Sequence, residues 1–315
     1  RERQLSNDGS RKYLVEVANG DLVECVMIKQ PKRMTLCVSS QVGCGMGCKF
    51  CRTATMGFRR NLSLSEIISQ VRAVKEDAKN FGDDFQNIVF MGMGEPLHNF
   101  KNVSAAARVL TDQFAYGFSS RRITISTVGL VPAIRKFGEQ KVPASLAVSL
   151  NGTTDEVRSQ IMPVNKNFPL SELLESLRTF PLGPRKKITI EYVMLRGVND
   201  TPEDLARLPK LLRGIAAKVN LIPYNENAGL GREVGTPLDG CPPEAGHPSH
   251  HPLVQRPRHR RRLRPARRLR TRQTRRRERR RHDYRRRPIT VPARGARGVA
   301  TAPRTRLCRA QSNRK

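Results

Sequence analysis

From about residue 34 to residue 225 the chain alternates short runs of β-branched residues with amphipathic helical stretches, and that alternation limits it to a small set of folds. Strands are predicted at MTLCVS (34–39), NIVFM (87–91), RITIS (122–126), ASLAVSL (144–150), ITIEYVML (188–195) and KVNLIP (218–223). Helices fit between them. Ser63 and Glu66 form a capping-box pair ahead of the apolar stripe Ile67, Ile68, Val71 and Val74. Thr201 followed by Pro202 is a second helix start, with proline at the first helical position. Six strands joined through helices imply right-handed βα units and a parallel sheet, open or curled into a barrel. Active sites of such folds lie at the carboxyl ends of the strands. The chemically informative segments fall there: GMGEP, Ser126, SLN (149–151) and PYN (223–225). Residues 1–33 read as a short β-rich lead-in, and no internal repeat is visible.

Four cysteines crowd into residues 37–51, and three of them, Cys44, Cys48 and Cys51, are spaced C-x3-C-x2-C. Seven cysteines with four in one loop suit a reducing compartment and a metal or redox site better than a disulfide framework, so a cytoplasmic protein is expected. No apolar run approaches the ~18 residues of a membrane span. Thiolates are soft ligands for zinc or an iron–sulfur cluster. A structural zinc site takes four ligands, usually in two knuckles, whereas this loop offers three and no nearby histidine. Three thiolates on a four-iron cluster leave one iron open to a further ligand. On spacing alone the cluster leads, with zinc or a plain buried-cysteine loop as the other readings.

The net charge of +32 is unevenly spread. Residues 241–315 carry 26 basic residues, 25 of them arginine, against three acids, whereas residues 1–240 carry a net charge of only +9. The body is basic enough for an RNA-binding enzyme. The tail's change of vocabulary needs a separate explanation.

The string CVSSQVGC…C.FC…GF.RNL…EII.Q resembles the dual-specificity ribosomal and transfer RNA adenine-C2 methyltransferases of the radical S-adenosylmethionine (SAM) enzymes. It is also similar to the sister branch that methylates carbon 8 of the same ribosomal adenine. The resemblance continues through FMGMGEPLHN, RITISTVGLVPAI, LAVSLNGTTDEVRSQIMPVNK, ITIEYVML.GVND and NLIPYN, covering about residues 5–235. It implies an α/β fold, a radical-SAM partial (βα)6 barrel at 34–235, after the lead-in at 1–33 and before an aberrant, disordered Arg-rich tail at 236–315. The family's small N-terminal domain is missing, so an N-terminal clip is expected. By the resemblance, Cys44, Cys48 and Cys51 hold a [4Fe–4S] cluster whose open iron chelates SAM. Gly94 and Glu95 meet the cofactor's methionine amino group, because glycine allows close approach and a carboxylate accepts from an ammonium. Ser126, Ser149, Leu150, Asn151 and Asn225 match further cofactor contacts; Asn151 stands where many relatives carry histidine, and both can bond a ribose hydroxyl.

The resemblance also implies a mechanism that uses two SAM molecules per turnover. One methylates a C-terminal cysteine; the radical from the second abstracts hydrogen from that S-methyl, and the carbon radical adds to the base. Glu24 matches the residue that then removes the C2 proton, and Cys37 the cysteine that resolves the protein–RNA adduct. Implied partners are 23S rRNA, tRNA and an electron donor such as flavodoxin, with the enzyme a monomer. RNA binding must unstack one adenine before chemistry. Arg59, Arg60, Arg121 and Arg122 are candidates for phosphate contacts but read more simply as solvated surface. The competing class is a non-catalytic, metal-stabilised fold with a basic RNA-binding tail.

The methyl-carrying cysteine belongs in a motif of the form G.DI..ACGQL about forty residues past Asn225, and the sequence has none there: Cys241 comes too early and Cys308 too late. A frameshift explains both this absence and the arginines. Reading the codons of His247 to Ala266 from their second base permits IRRTIRSSSGRDIAGACGQL, and every dictated first base from Arg256 to Ala266 suits GRDIAGACGQL. GC-rich Gly, Ala and Asp codons become arginine codons when shifted. The missing cysteine then straddles the codons of Leu263 and Arg264, and the shift lies between about Gly235 and His247. The competing reading is a genuine Arg-rich, salt-sensitive RNA-binding tail. On the frameshift reading the chain binds a cluster but does not turn over methyl transfer.

Overall fold

The computed structural model describes residues 3–224. Asn225, the tail at 236–315 and the segment assigned to the frameshift fall outside the described residues. In chain order the strands are β1 (Arg3–Leu5), β2 (Arg11–Glu16), β3 (Leu22–Gln30), β4 (Arg33–Cys37), β5 (Gln41–Gly43), β6 (Phe58–Asn61), β7 (Asn87–Phe90), β8 (Ile123–Thr127), β9 (Ser145–Ser149), β10 (Ile188–Met194) and β11 (Ala217–Pro223). The helices are α1 (Leu64–Lys79), α2 (Phe100–Thr111), α3 (Val131–Glu139), α4 (Asp155–Ile161), α5 (Leu170–Arg178) and α6 (Pro202–Leu211).

Each of the six predicted strands is present, with ends that differ from the expected ones by at most two residues. β4, β7, β8, β9, β10 and β11 are parallel and lie side by side in sequence order, with helices in each crossover. This is the parallel half of a partial (βα)6 barrel. The lead-in adds β1, β2 and β3 as an antiparallel extension on the β4 side of the same sheet.

Alternation along the strands assigns the two faces. Ile88 and Phe90 of β7, Ile123 and Ile125 of β8, Val148 of β9 and Ile190 of β10 are fully buried toward the helices. Each such side chain contributes roughly 2 kcal/mol of transfer free energy. The capping boxes form as read: Ser63 with Glu66 on α1, and Thr201 with Asp204 on α6. α1 then buries Ile67, Val71 and Val74.

The register places the other face in one line. Val26 pairs with Cys37, Cys37 with Val89 and Val89 with Thr124; Ser126 pairs with Ala147, and Ser149 with Glu191. With a side-chain period of two, Glu24, Cys37, Ser126 and Ser149 therefore share the face turned away from the helices.

Candidate active site

The cysteine loop is an insertion between β4 and α1, closed at its base by the two-stranded ribbon β5–β6. Gly43, at φ +74°, lets the strands meet: a Cβ there would run into the carbonyl of Gly57, which accepts from the Cys44 N–H at 2.9 Å. The far end of the loop rests on α4 and the turn after it. The Lys49 N–H donates to the Ile161 carbonyl at 2.9 Å, and Cys48 packs in an apolar group with Ile161, Met162, Val164 and Leu195. Cys44 and Cys48 are buried and Cys51 is half-buried. Burial pushes the Cys44 thiol up to about 11, partly offset by the Met46 N–H aimed at its sulfur. Burial also raises Cys48, which feels the charges of Cys51, Cys44, Glu95 and Arg158 as well.

Around this loop the carboxyl-end turns of the strands are joined pairwise by buried polar side chains. Gln41, after β4, accepts the Glu95 N–H at 2.8 Å and so holds the turn after β7. Gly94 is required there: its φ is +100°, and a Cβ would lie 2.5 Å from that of Gln41. The Glu95 carboxylate crosses to the turn after β8, accepting the Val128 N–H at 2.9 Å and the Leu97 N–H at 3.0 Å. Arg158 of α4 bonds the Val128 carbonyl after β8 and the Leu150 carbonyl after β9. Asn199, after β10, donates to the carbonyls of Asn151 and Val193 at 2.7 and 2.8 Å. Four neighbouring pairs of turns are thus locked in series. Arg158 and Asn199 escaped sequence reasoning because nothing local distinguishes an Arg in DEVRSQI or an Asn in GVND.

Glu95 is 2% exposed and has no cation paired with it among the described residues. Burial pushes its carboxyl up to about 7, against the hydrogen bonds from Val128, Thr127 and Leu97. A buried acid held by neutral donors gains from an incoming ammonium.

Ser126 and Ser149 are half-buried at the carboxyl ends of β8 and β9, and Leu150, next in the chain after Ser149, is buried. Asn151 has φ +54°, a left-handed conformation that asparagine and histidine both tolerate better than most residues. Its side-chain oxygen accepts the Val193 N–H at 2.8 Å and its nitrogen faces the Met162 sulfur at 3.3 Å. Much of its bonding capacity is therefore spent on the turn itself.

Glu24 is half-exposed and paired with Lys12 at 2.7 Å. Cys37 is 1% exposed, and burial pushes its thiol up to about 12 in spite of the Met91 N–H beside it. Of the arginines considered for phosphate, Arg59 and Arg60 are engaged by Asp21, and Arg60 also by Glu66.

No group of three or more His, Cys, Asp or Glu side chains among the described residues is arranged to hold a single metal ion. The donor set fits a four-iron cluster better, since each thiolate then binds a separate iron and the three stand further apart.

Comparison with known proteins bears on this arrangement. The Dual-specificity RNA methyltransferase RlmN of Geotalea uraniireducens is 54% identical over 226 residues, 72% of this chain and 64% of that protein. The RlmN of Geobacter sulfurreducens is 52% identical, over 72% of this chain and 61% of its own length. The chain thus spans less than two thirds of the length of these relatives. The crystal structure of a radical SAM methyltransferase from Sphaerobacter thermophilus superposes with a TM-score of 0.69 at 40% identity, covering 72% of this chain and 67% of that one. The Radical SAM superfamily matches residues 38–208, which run from the end of β4 into α6 and take in the cysteine loop and all five locked turns. This chain belongs to the radical SAM superfamily.

Proposed function

We propose that this chain is the core of a radical SAM methyltransferase that acts on carbon 2 of adenine in 23S rRNA and tRNA. One observation carries the reading: the three-thiol loop, the uncompensated Glu95 and the serines at the ends of β8 and β9 meet at one rim, in a chain about half identical to dual-specificity RNA methyltransferases. Cys44, Cys48 and Cys51 would hold a [4Fe–4S] cluster, which when bound supplies the electron that splits SAM into methionine and a 5′-deoxyadenosyl radical.

The protein's own contribution is placement and charge. Glu95 meets the methionine ammonium and is ionised by it, and Gly94 leaves the backbone open to it. Ser126, Ser149, Leu150 and Asn151, with Asn225 beyond the described residues, line the nucleoside side. Glu24 accepts the C2 proton once Lys12 is displaced. Cys37, on the same sheet face, resolves the adduct; its high pKa keeps the thiol protonated and unreactive until then. RNA and a flavodoxin-type donor are the partners, and the protein works as a cytoplasmic monomer. The division at 33/34 and 235/236 stands as part of this proposal. Because the sequence has no ACGQL cysteine, the chain loads its cofactors without completing methyl transfer.

Anaerobic reconstitution with iron and sulfide tests the core of this. The expected product is a brown protein that cleaves SAM under dithionite, a property lost in Cys48→Ala. A colourless zinc protein would overturn it. Restoring the +1 reading frame past residue 235 should switch on methylation of adenine in a ribosomal RNA fragment, at carbon 2. Methyl at carbon 8 would move the chain to the sister activity.

A further inference from the structure

Among the described residues Arg158 is the largest side chain that is fully buried, and its hydrogen bonds go to neutral acceptors. Its Nε donates to the Leu150 carbonyl at 3.0 Å, one Nη to the Asn165 side-chain oxygen at 2.6 Å, and the other Nη to the carbonyls of Val128 at 2.7 Å and Ser149 at 3.5 Å. No carboxylate forms an ion pair with it among the described residues. The nearby Asp155 spends the same side-chain oxygen on the Asn165 amide and the Leu170 N–H.

The surroundings are shaped to take the guanidinium. A Cβ on Gly129 would stand 3.1 Å from its Nη, and one on Gly152 would stand 3.0 Å from the Arg158 Cβ. A fully buried guanidinium without a counter-anion is costly, and folds keep such a group when a charge arrives to meet it. Tying two loops together does not by itself need a cation; neutral Asn199 performs that task one turn further along.

Ahead of Asp155, the group whose negative charge acts most on Arg158 is Cys48 in its thiolate form. The two are also joined through the backbone, since Arg158 lies on the helix whose last residue, Ile161, anchors the cysteine loop at Lys49. We propose that Arg158 is a positioning residue that supplies the buried counter-charge for the cluster on the Cys48 side, raising its reduction potential while fixing the turns after β8 and β9. The inference rests on the cluster reading above. The step concerned is a one-electron reduction by a low-potential donor: the cluster gains one negative charge and no proton or bond moves. A fixed positive charge nearby favours that product.

The test uses the full chain, reconstituted anaerobically with iron and sulfide and titrated with dithionite under electron paramagnetic resonance, without SAM. In Arg158→Gln the potential should fall, so that the reduced-to-oxidised ratio at the wild-type midpoint drops about tenfold at equal iron content. Arg158→Lys keeps the charge and should stay within about twofold of wild type, although its single ammonium cannot span the three carbonyls and cofactor binding weakens. An unshifted Gln variant overturns the inference and leaves the cluster intact. If the Gln variant does not load iron, Lys carries the test alone, and a potential that falls together with cofactor binding would sink the idea. A wild-type chain that takes up no cluster counts against the radical reading itself.

Discussion

Glu95 and Asp204 are both almost wholly buried carboxylates at the carboxyl end of the sheet, and they are held in opposite ways. Asp204, at the start of α6, accepts from Thr201 at 2.8 Å and from the Arg207 guanidinium at 3.1 Å, and it bonds Thr153. Burial pushes its pKa up, but those bonds outweigh burial and leave it below the ordinary aspartate range. Glu95 has only backbone N–H groups and Thr127, and burial wins. A carboxylate that the fold needs for itself comes with its cation. Glu95 has none among the described residues.

The comparison can be sharpened by pH. A carboxyl that titrates near 7 instead of 4.5 makes ionisation cost the folded, cofactor-free chain roughly 3 kcal/mol. Its raised pKa means that stability is full below about 4.5 and is lost as pH rises through about 7. Chemical unfolding of wild type between pH 4 and 8 should show that fall, and Glu95→Gln should be flat over the same window. A wild-type profile as flat as the variant's would mean that Glu95 is already compensated. Asp204 has the opposite sign: its contribution is present at neutral pH and disappears only as acid takes the protein below the ordinary aspartate range. Asp204→Asn should cost about 2 kcal/mol at pH 7 by leaving Arg207 and the two threonines poorly matched. A loss under a third of that would make the two carboxylates alike. Thr201→Ala removes the cap and one of the bonds to Asp204 while leaving Arg207 and Thr153 in place, and should cost about 1 kcal/mol. The smallest effect belongs to the outer strand. Leu221 of β11 is 53% exposed, and Leu221→Lys should leave the unfolding free energy within about 0.5 kcal/mol of wild type.

Much of this was legible beforehand, for identifiable reasons. Strands such as Ile188–Met194 and helix starts such as Ser63 and Thr201 are local events, carried by β-branching and capping chemistry within a few residues. The three-thiol loop is also local. The locking side chains are not: Gln41, Arg158 and Asn199 act between turns distant in sequence, and each looks like an ordinary polar residue in its own segment. Register was equally invisible. The pairing of Val26 with Cys37 puts Glu24 on the Cys37 face, and the registers from β4 through β10 carry that face on to Ser126 and Ser149. Asn151 can replace histidine as a hydrogen-bonding group, and its positive φ supplies a second reason that the sequence does not display, since both residues tolerate that backbone.

The side-by-side order of β4, β7, β8, β9, β10 and β11 has a consequence for synthesis. Each parallel strand can dock on its predecessor as it leaves the ribosome, so the sheet can grow in the direction of translation. The cysteine loop breaks that order. Its thiols emerge more than a hundred residues before Ile161 and Met162, which shelter Cys48. For that interval the nascent chain carries three unprotected thiols. On the proposed cluster reading, insertion is best timed after α4 has emerged, and a pause in translation before residue 161 would expose the loop to oxidation.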